Sequence, residues 1–311
     1  MMDDVHPSGA SGRPELTLGP VLYNWSAQRL RDFYARIADE APVDRVVIGE
    51  VICPKREPLA ADALAWAAER LAAAGKRVVL ASLALVMDDR DWEATLALGR
   101  DAEAFEANDL SAVEVRKGRP FAVGPFVNVY GLSTLRWLKE LGAERICFGA
   151  ELDREKMAAL AREPGMEKEA IVFGRLPLAL SARCYHARAH GLRKDECRFV
   201  CGEDPDGLPV TTLDGQAFVA VNGIATMSAS YVDLTREWEE LADMGVSGFR
   251  LLPQAVDMVA VARVWRDLLD GRIAGEEAHA RIRAIAGGVP LANGFFHGGI
   301  GRAEVARPAG A

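Results

Sequence analysis

The sequence predicts an α/β protein with a TIM-barrel-like (β/α)8 fold and a cysteine-containing insertion after the seventh strand. Short β-rich runs alternate with amphipathic helical stretches, which is the pattern of parallel strands joined by crossover helices. Eight such runs occur, and the 311-residue chain has room for one barrel of roughly 250 residues with elaborations. An open doubly wound sheet would give nearly the same pattern, but no GxGxxG motif follows the first strand to favour a dinucleotide fold.

The regular elements can be placed in order along the chain. A helix is expected after the N-cap candidate Ser26, and a second helix, rich in Ala, Leu and Trp, covers residues 59–74. The predicted strands cover residues 16–22, 45–49, 77–83, 104–107, 121–129, 145–148, 170–173 and 248–252.

Residues 175–233 interrupt this alternation and form the predicted insertion. They hold three cysteines and two apolar runs, 217–221 and 224–227, which an Asn-Gly pair joins. Asn-Gly between apolar runs is a strong hairpin signal. The chemistry of such barrels lies on the loops that follow the strands, and Cys53 occupies the loop after the second strand. We therefore expect the insertion to form a small cap over the barrel mouth, next to Cys53.

Composition and charge exclude several classes of function. The formal net charge of −8 and a pI near 5.3 argue against nucleic-acid binding, which depends on clustered Lys and Arg. The sequence contains no uninterrupted apolar run of about 18 residues and no basic leader, so we predict no transmembrane segment and a cytoplasmic location. Residues 1–14 are predicted to be a disordered tail, and residues 15–311 a single barrel-like domain with its cap.

The cysteines form the most informative pattern. The spacing Cys184-x12-Cys197-x3-Cys201 places three thiols in one short segment, and Cys53 can supply a fourth from another loop. Soft thiolates suit an iron–sulfur cluster or zinc, and unligated thiols are the third possibility. Cys147 lies between Ile and Phe in a predicted strand, so we assign it to the core as a small hydrophobic residue.

Two histidines lie beside these cysteines. His186 and His190 are four residues apart, which on a helix places both rings on one face, as a metal pair requires. Exposed polar histidines, or a hydrogen-bonding role around the cysteine site, are the alternatives. A catalytic couple of Cys184 with His186 is disfavoured because residues this close in sequence rarely reach catalytic geometry.

Polar residues at the ends of predicted strands are candidates for substrate binding, because such ends converge on ligands in barrels. Arg250 could bind a carboxylate through two hydrogen bonds, or else form an internal ion pair with Glu50 or Asp109. The full set of candidates is Glu50, Asn128, Tyr130, Arg250 and Gln254.

The segment SARCYHARAHGLRKDECRFVC resembles the cysteine-rich segment of the UbiV family, ubiquinone-biosynthesis accessory proteins of the collagenase-like peptidase superfamily. LGPVLYNW, GEVICPKR, FAVGPFVNVY and NGIATMS are also similar, so the resemblance spans nearly the whole chain. It departs from the peptidase-like branch by a longer gap between the first two cysteines of the segment and by Arg183. Neither a Gly-x-Ser-x-Gly nor a His-Glu-x-x-His motif is present to support a protease.

The resemblance implies a 4Fe-4S cluster on Cys53, Cys184, Cys197 and Cys201. It also implies a heterodimer with a UbiU-like paralogue that hydroxylates the aromatic ring of a polyprenylated phenolic precursor without dioxygen. Prephenate, used by related hydroxylating proteins, is the candidate oxygen donor.

Two functions from different classes follow. In the first, the chain is part of the hydroxylase, and a cavity beside the cluster lined by Asn128, Tyr130 and Arg250 would favour it. In the second, the chain is a structural or electron-relay subunit that binds no substrate, and a filled barrel mouth with an apolar surface patch would favour it.

Overall fold

The structure, a computed structural model, describes residues 13–306. Residues 1–12 of the predicted tail lie outside the described residues. Arg13, which belongs to the same predicted tail, forms an ion pair with Asp270 over 2.7 Å. The strands of the described part are β1 (Glu15–Leu18), β2 (Arg45–Ile48), β3 (Arg77–Ala81), β4 (Phe105–Ala107), β5 (Phe121–Val123), β6 (Ala143–Cys147), β7 (Glu167–Leu180), β8 (Leu208–Thr211), β9 (Ala217–Asn222), β10 (Ala225–Asp233), β11 (Gly248–Leu251) and β12 (Leu291–Ala292).

Eight of these strands close a parallel barrel, which confirms the predicted (β/α)8 fold. β1 to β7 pair with one another in sequence order, each parallel to the next. β11 pairs in parallel with both β7 and β1 and so closes the ring. Because every barrel strand runs in the same direction, the loops that follow them meet at one end of the barrel.

Helices alternate with the barrel strands and cover their outer surface, and one short helix lies in the insertion. They are α1 (Ala27–Glu40), α2 (Glu57–Ala73), α3 (Asp89–Asp101), α4 (Leu110–Arg116), α5 (Leu132–Glu140), α6 (Arg154–Ala161), α7 (Tyr185–Ala189), α8 (Trp238–Asp243), α9 (Met258–Leu269) and α10 (Gly275–Ile285). Ser26 caps α1 as predicted, because its Oγ accepts a hydrogen bond of 3.2 Å from the backbone N–H of Arg29. Within residues 13–306, no helix combines the length and the apolarity needed to cross a bilayer.

Several strands differ in extent from their predictions, and β5 and β7 differ most. The run 121–129 was expected to be one strand, but β5 ends at Val123 and Pro125 begins a 3-10 turn. Proline has no N–H to donate to a neighbouring strand, so the ladder stops there despite the apolar residues that follow. In contrast, β7 extends well beyond the predicted 170–173, because its second half pairs with β10.

The insertion grows out of the carboxyl end of β7. Beyond the barrel, β7 pairs antiparallel with β10, β10 with β9, and β9 with β8. The Asn-Gly hairpin between β9 and β10 is present as predicted, and Gly223 has a φ of +64°, in the left-handed region that favours glycine. The cysteine-rich segment lies between β7 and β8, at the same end of the barrel as the loop that holds Cys53.

The barrel interior contains a buried network of ion pairs. Arg250 on β11 donates two hydrogen bonds to Glu106 on β4, of 3.1 and 2.5 Å, and its Nε donates to Glu169 on β7 over 3.0 Å. Arg145 on β6 also donates to Glu169 over 3.0 Å. Arg250 therefore forms an internal ion pair with Glu106 and Glu169, and the prediction of Glu50 or Asp109 as its partner was wrong. Since Arg250 is 1% exposed and engages two carboxylates, it is not free to receive an anion.

Candidate metal centre

The four predicted cysteines line one small pocket at the mouth of the barrel. Cys53 follows β2, and Cys184 is the N-cap of α7. Cys197 is the C-cap of one 3-10 turn of the insertion, and Cys201 lies in the next 3-10 turn. Cys184 and Cys201 are buried, whereas Cys53 and Cys197 are half-buried, and all are free thiols. The structure therefore brings together thiols that are up to 148 positions apart (201 − 53) in the sequence.

Cys147 lies apart from this group. It belongs to β6, is 2% exposed, and does not line the cysteine pocket. Burial raises the pKa of its thiol far above the ordinary value, which keeps the sulfur protonated and unsuited to binding a metal.

The spacing of the thiols bears on the kind of metal they could hold. Among residues 13–306, the only set of three metal-binding side chains with ligand atoms within 4.8 Å of one another contains no cysteine. One tetrahedral zinc ion, with Zn–S bonds of about 2.3 Å, would hold its sulfurs roughly 3.8 Å apart. No three of the four cysteine sulfurs therefore lie within 4.8 Å of one another.

Several N–H groups point at the sulfurs. The backbone N–H of Ala187 donates to Cys184 Sγ over 3.4 Å, and the side-chain amide of Asn24 donates to Cys201 Sγ over 3.4 Å. Such donors stabilise the thiolate form and are the means by which proteins adjust bound clusters. Burial raises the pKa of Cys53 and of Cys184, so desolvation disfavours both thiolates unless a cation balances their charge.

Cationic side chains surround the pocket. Arg56, Lys55 and Lys194 all line it, and the guanidinium of Arg56 is 1% exposed. Arg56 opposes the effect of burial on the pKa of both Cys53 and Cys184. The Nε of Arg56 has no hydrogen-bond partner within the described part of the chain. A buried cation beside four thiols complements a site that becomes negatively charged when the thiols ionise.

Asn222 fastens the cysteine segment to the barrel. Its side-chain amide donates to the carbonyls of Cys201 and Asp204, each over 2.9 Å. Its Oδ1 accepts hydrogen bonds from Arg56 Nη2, over 2.6 Å, and from the N–H of Asn24, over 3.2 Å. One buried side chain therefore links loops of the insertion to loops of the barrel.

The backbone is also constrained at this position. A Cβ on Gly223 would lie 2.2 Å from Arg56 Nη2, so any other residue would displace the guanidinium as well as strain the backbone. Arg198 and Phe199, between the last two cysteines, adopt the left-handed conformation with φ of 48° and 57°. Such strain is found where the surrounding structure fixes a functional loop.

Sequence reasoning missed the residues that support the thiols. Arg56, Asn24 and Asn222 were not singled out as parts of the site. Asn222 carried a signal, the Asn-Gly turn, but that signal explains the hairpin and not the hydrogen bonds.

The five candidate substrate residues do not converge. Tyr130 and Asn128 are exposed and bond to each other over 3.2 Å, and the Oε1 of Gln254 accepts a 2.5 Å hydrogen bond from buried Tyr23. Glu50 accepts hydrogen bonds from the N–H groups of Ile52 and Cys53, both over 2.9 Å, and so shapes the cysteine loop. Arg250 is enclosed in its ion pairs and 1% exposed, whereas Asn128 and Tyr130 lie at the surface.

A different cavity adjoins the cysteine loop. It has a volume of about 350 Å³, lies between α2 and α3, and is reached by Glu50 and Pro54 on either side of Cys53. Burial raises the pKa of Glu50 at its edge. Most of the lining is apolar and comes from Ile48, Ala61, Leu64, Ala65, Ala68, Leu80, Leu83, Ala94 and Leu98.

Comparison with known protein families identifies the family to which the chain belongs. The sequence matches peptidase family U32 over residues 25–303, which is most of the chain. The chain therefore belongs to peptidase family U32, and the predicted membership of the collagenase-like superfamily is confirmed.

Solved structures with similar folds include two aldolase-type proteins. N-acetylneuraminate lyase from Aliivibrio salmonicida has 10% sequence identity and a TM-score of 0.46, covering 86% of this chain and 78% of its own. Phospho-2-dehydro-3-deoxyheptonate aldolase from Thermotoga maritima has 13% identity and a TM-score of 0.43, covering 90% of this chain and 72% of its own.

Proposed function

We propose that this protein is the iron–sulfur component of an oxygen-independent hydroxylase of ubiquinone biosynthesis, as in the UbiV family. The observation that carries the proposal is the convergence of Cys53, Cys184, Cys197 and Cys201 on one pocket at the barrel mouth. Four thiolates are the usual ligand set of a 4Fe-4S cluster, which when bound would supply one-electron chemistry. We place the protein in the cytoplasm, where thiols stay reduced.

The donor set and its surroundings suit a cluster better than zinc. No three of the sulfurs lie within 4.8 Å of one another, whereas one zinc ion would hold its sulfurs roughly 3.8 Å apart, and N–H donors reach two of the sulfurs. Arg56, Lys55 and Lys194 would balance the negative charge of a thiolate-bound cluster. These side chains belong to both the barrel and the insertion, so cluster binding would also join the two.

The arrangement gives little support to peptidase activity, despite the name of the family. The ring of His186 directs Nδ1 to the carbonyl of Val221 over 3.1 Å, and Nε2 lies 3.0 Å from the carboxylate of Asp204. Cys184 Sγ instead accepts a hydrogen bond from a backbone N–H. The couple that a cysteine peptidase needs would have a nitrogen of the imidazole directed at the thiol.

The cavity between α2 and α3 supports a substrate with a long apolar tail. Its volume lies in the range of about 300–1,000 Å³ typical of small-molecule sites, and its apolar lining matches a polyprenyl chain. The cavity reaches the loop of Cys53, so a tail held there would place the phenolic ring near the thiols. Because Arg250 is occupied by two carboxylates, a donor such as prephenate would meet the cations of the cysteine pocket instead.

The proposal includes a UbiU-like paralogue as the partner in a heterodimer. The test is to co-express the two chains without oxygen and to assay hydroxylation of the polyprenylated phenol by each chain alone and by the pair. We expect activity from the pair alone, and loss of that activity in the Cys201→Ala variant, while the control Cys147→Ala stays active. An inactive but cluster-loaded pair would overturn the hydroxylase role in favour of electron relay, and peptidase activity would overturn both.

A further inference from the structure

We propose that His186, His190 and Asp204 form a second metal site, distinct from the four cysteines, for a divalent transition-metal ion of the zinc class. One ring nitrogen of each histidine and a carboxylate oxygen of Asp204 lie within 4.8 Å of one another. The two rings are parallel, with an interplanar angle of 2° and centroids 5.2 Å apart. The four-residue spacing seen in the sequence therefore places both imidazoles beside one carboxylate.

The hydrogen bonds of the rings determine which nitrogen can bind a metal. His186 Nδ1 lies 3.1 Å from the carbonyl of Val221, and His190 Nδ1 lies 3.0 Å from the carbonyl of His186. A carbonyl can only accept, so each Nδ1 must carry the proton. In a neutral ring the Nε2 then has a free lone pair, which is the arrangement of metal-binding histidines whose other nitrogen bonds to the backbone.

The buried Nε2 of His186 faces the carboxylate without a hydrogen bond. His186 is fully buried, and its Nε2 has no hydrogen bond of acceptable geometry although Asp204 Oδ2 is 3.0 Å away. Two acceptors at this distance repel each other unless a cation lies against both. A metal ion or a proton on the ring can satisfy the pair, and the nearby Nε2 of His190 favours the metal because it adds a second lone pair.

Three separate segments hold the ligands in place. His186 belongs to α7, and Val221, its hydrogen-bond partner, belongs to β9. The carbonyl of Asp204 accepts a hydrogen bond from buried Asn222 over 2.9 Å. The carboxylate of Glu203 lies 4.0 Å from His190 Nε2, where it can supply a further oxygen.

The ligand types indicate the class of ion. Two imidazoles and one carboxylate suit Zn²⁺, Fe²⁺ or Co²⁺, whereas Ca²⁺ and Mg²⁺ take oxygen ligands. Three protein ligands leave positions open to water or to a small anion. Asp204 and His190 are partly accessible to solvent, so an ion can enter without opening the cysteine pocket.

Cobalt is the probe that separates this site from the thiols. Co²⁺ is titrated into anaerobic, cluster-loaded protein, and the absorption of the cluster is followed in the same samples. We expect one equivalent to bind with weak visible bands and without the intense sulfur-to-cobalt charge-transfer absorption of a thiolate site. Replacing one ligand, in His190→Gln or Asp204→Asn, should weaken binding by more than about tenfold.

The matched control is His297→Gln, which changes a histidine outside the insertion and should bind Co²⁺ like the parent protein. Three results would overturn the proposal: no cobalt binding by the parent protein, binding that is unchanged in both ligand variants, or binding accompanied by thiolate charge transfer. Because His186 is buried and its replacement could prevent folding, the two more exposed ligands carry the test.

Discussion

Arg250 and Glu106 face each other across the barrel, from β11 on one side to β4 on the other, through two hydrogen bonds of 3.1 and 2.5 Å. Both side chains are 1% exposed, and Arg250 also binds the buried carboxylate of Glu169. The pairing fills the barrel interior with compensated charge, whereas the four cysteines lie at the barrel mouth.

Removing Arg250 should destabilise the barrel strongly. In Arg250→Met the carboxylates of Glu106 and Glu169 would stay buried without their shared cation, so we expect the free energy of unfolding to fall by about 3–5 kcal/mol. Urea denaturation measures the loss. The exposed Arg100→Met serves as the control and should stay within about 0.5 kcal/mol of the parent. Equal stability of Arg250→Met and the parent would mean that the network does not hold the barrel.

The same network predicts how stability depends on pH. Burial alone would raise the pKa of Glu169, but Arg145 and Arg250 outweigh burial and hold it well below the ordinary value of 4.5. A lowered folded-state pKa contributes stability that is complete above about 4.5 and is lost as the pH falls from there through the folded-state pKa.

We therefore expect unfolding free energies to decline below about pH 4.5, and to decline less steeply in Glu169→Gln. Urea denaturation between neutral and acidic pH provides the measurement, with the pH-dependent slope as the readout. Identical slopes in the variant and the parent would show that Glu169 is not a source of the acid sensitivity.

The pairing inside the barrel could not be predicted from the sequence, although the strands could. Strand runs follow from local patterns, whereas the partners of Arg250 depend on which strands oppose each other once the ring closes. β7 was predicted too short because its second half is fixed by β10, more than 40 residues later (225 − 180 = 45). The cysteine motif marked the thiols, but the motif does not show that the guanidinium of Arg56 is bonded to Asn222 in a remote hairpin.

Asn222 should be needed to hold the cysteine segment. Asn222→Ala would remove the hydrogen bonds to the carbonyls of Cys201 and Asp204 and leave buried Arg56 with one partner fewer. We expect a loss of about 1–3 kcal/mol in unfolding free energy, together with lower iron content after reconstitution. Gln216→Ala, an exposed change in the same insertion, is the control. Full iron content in Asn222→Ala would contradict the anchoring role.

The apolar cavity can be filled to test its role in binding the tail. Ala68→Phe places a ring in the cavity between α2 and α3, whereas Ala73→Phe adds the same ring on the exposed end of α2. We expect the first variant to lose activity on the polyprenylated phenol but to keep activity on an analogue with a truncated tail. Steady-state assays of the paired complex give the comparison. An equal loss on both substrates would indicate general damage to the fold.

The metal content of protein prepared without oxygen tests the central claim most directly. We predict about four irons and a matching amount of sulfide per chain, lost in Cys197→Ala and retained in Cys147→Ala, whose sulfur lies apart in the core. One equivalent of zinc without iron, or the same iron content in both variants, would contradict the assignment of a cluster to Cys53, Cys184, Cys197 and Cys201.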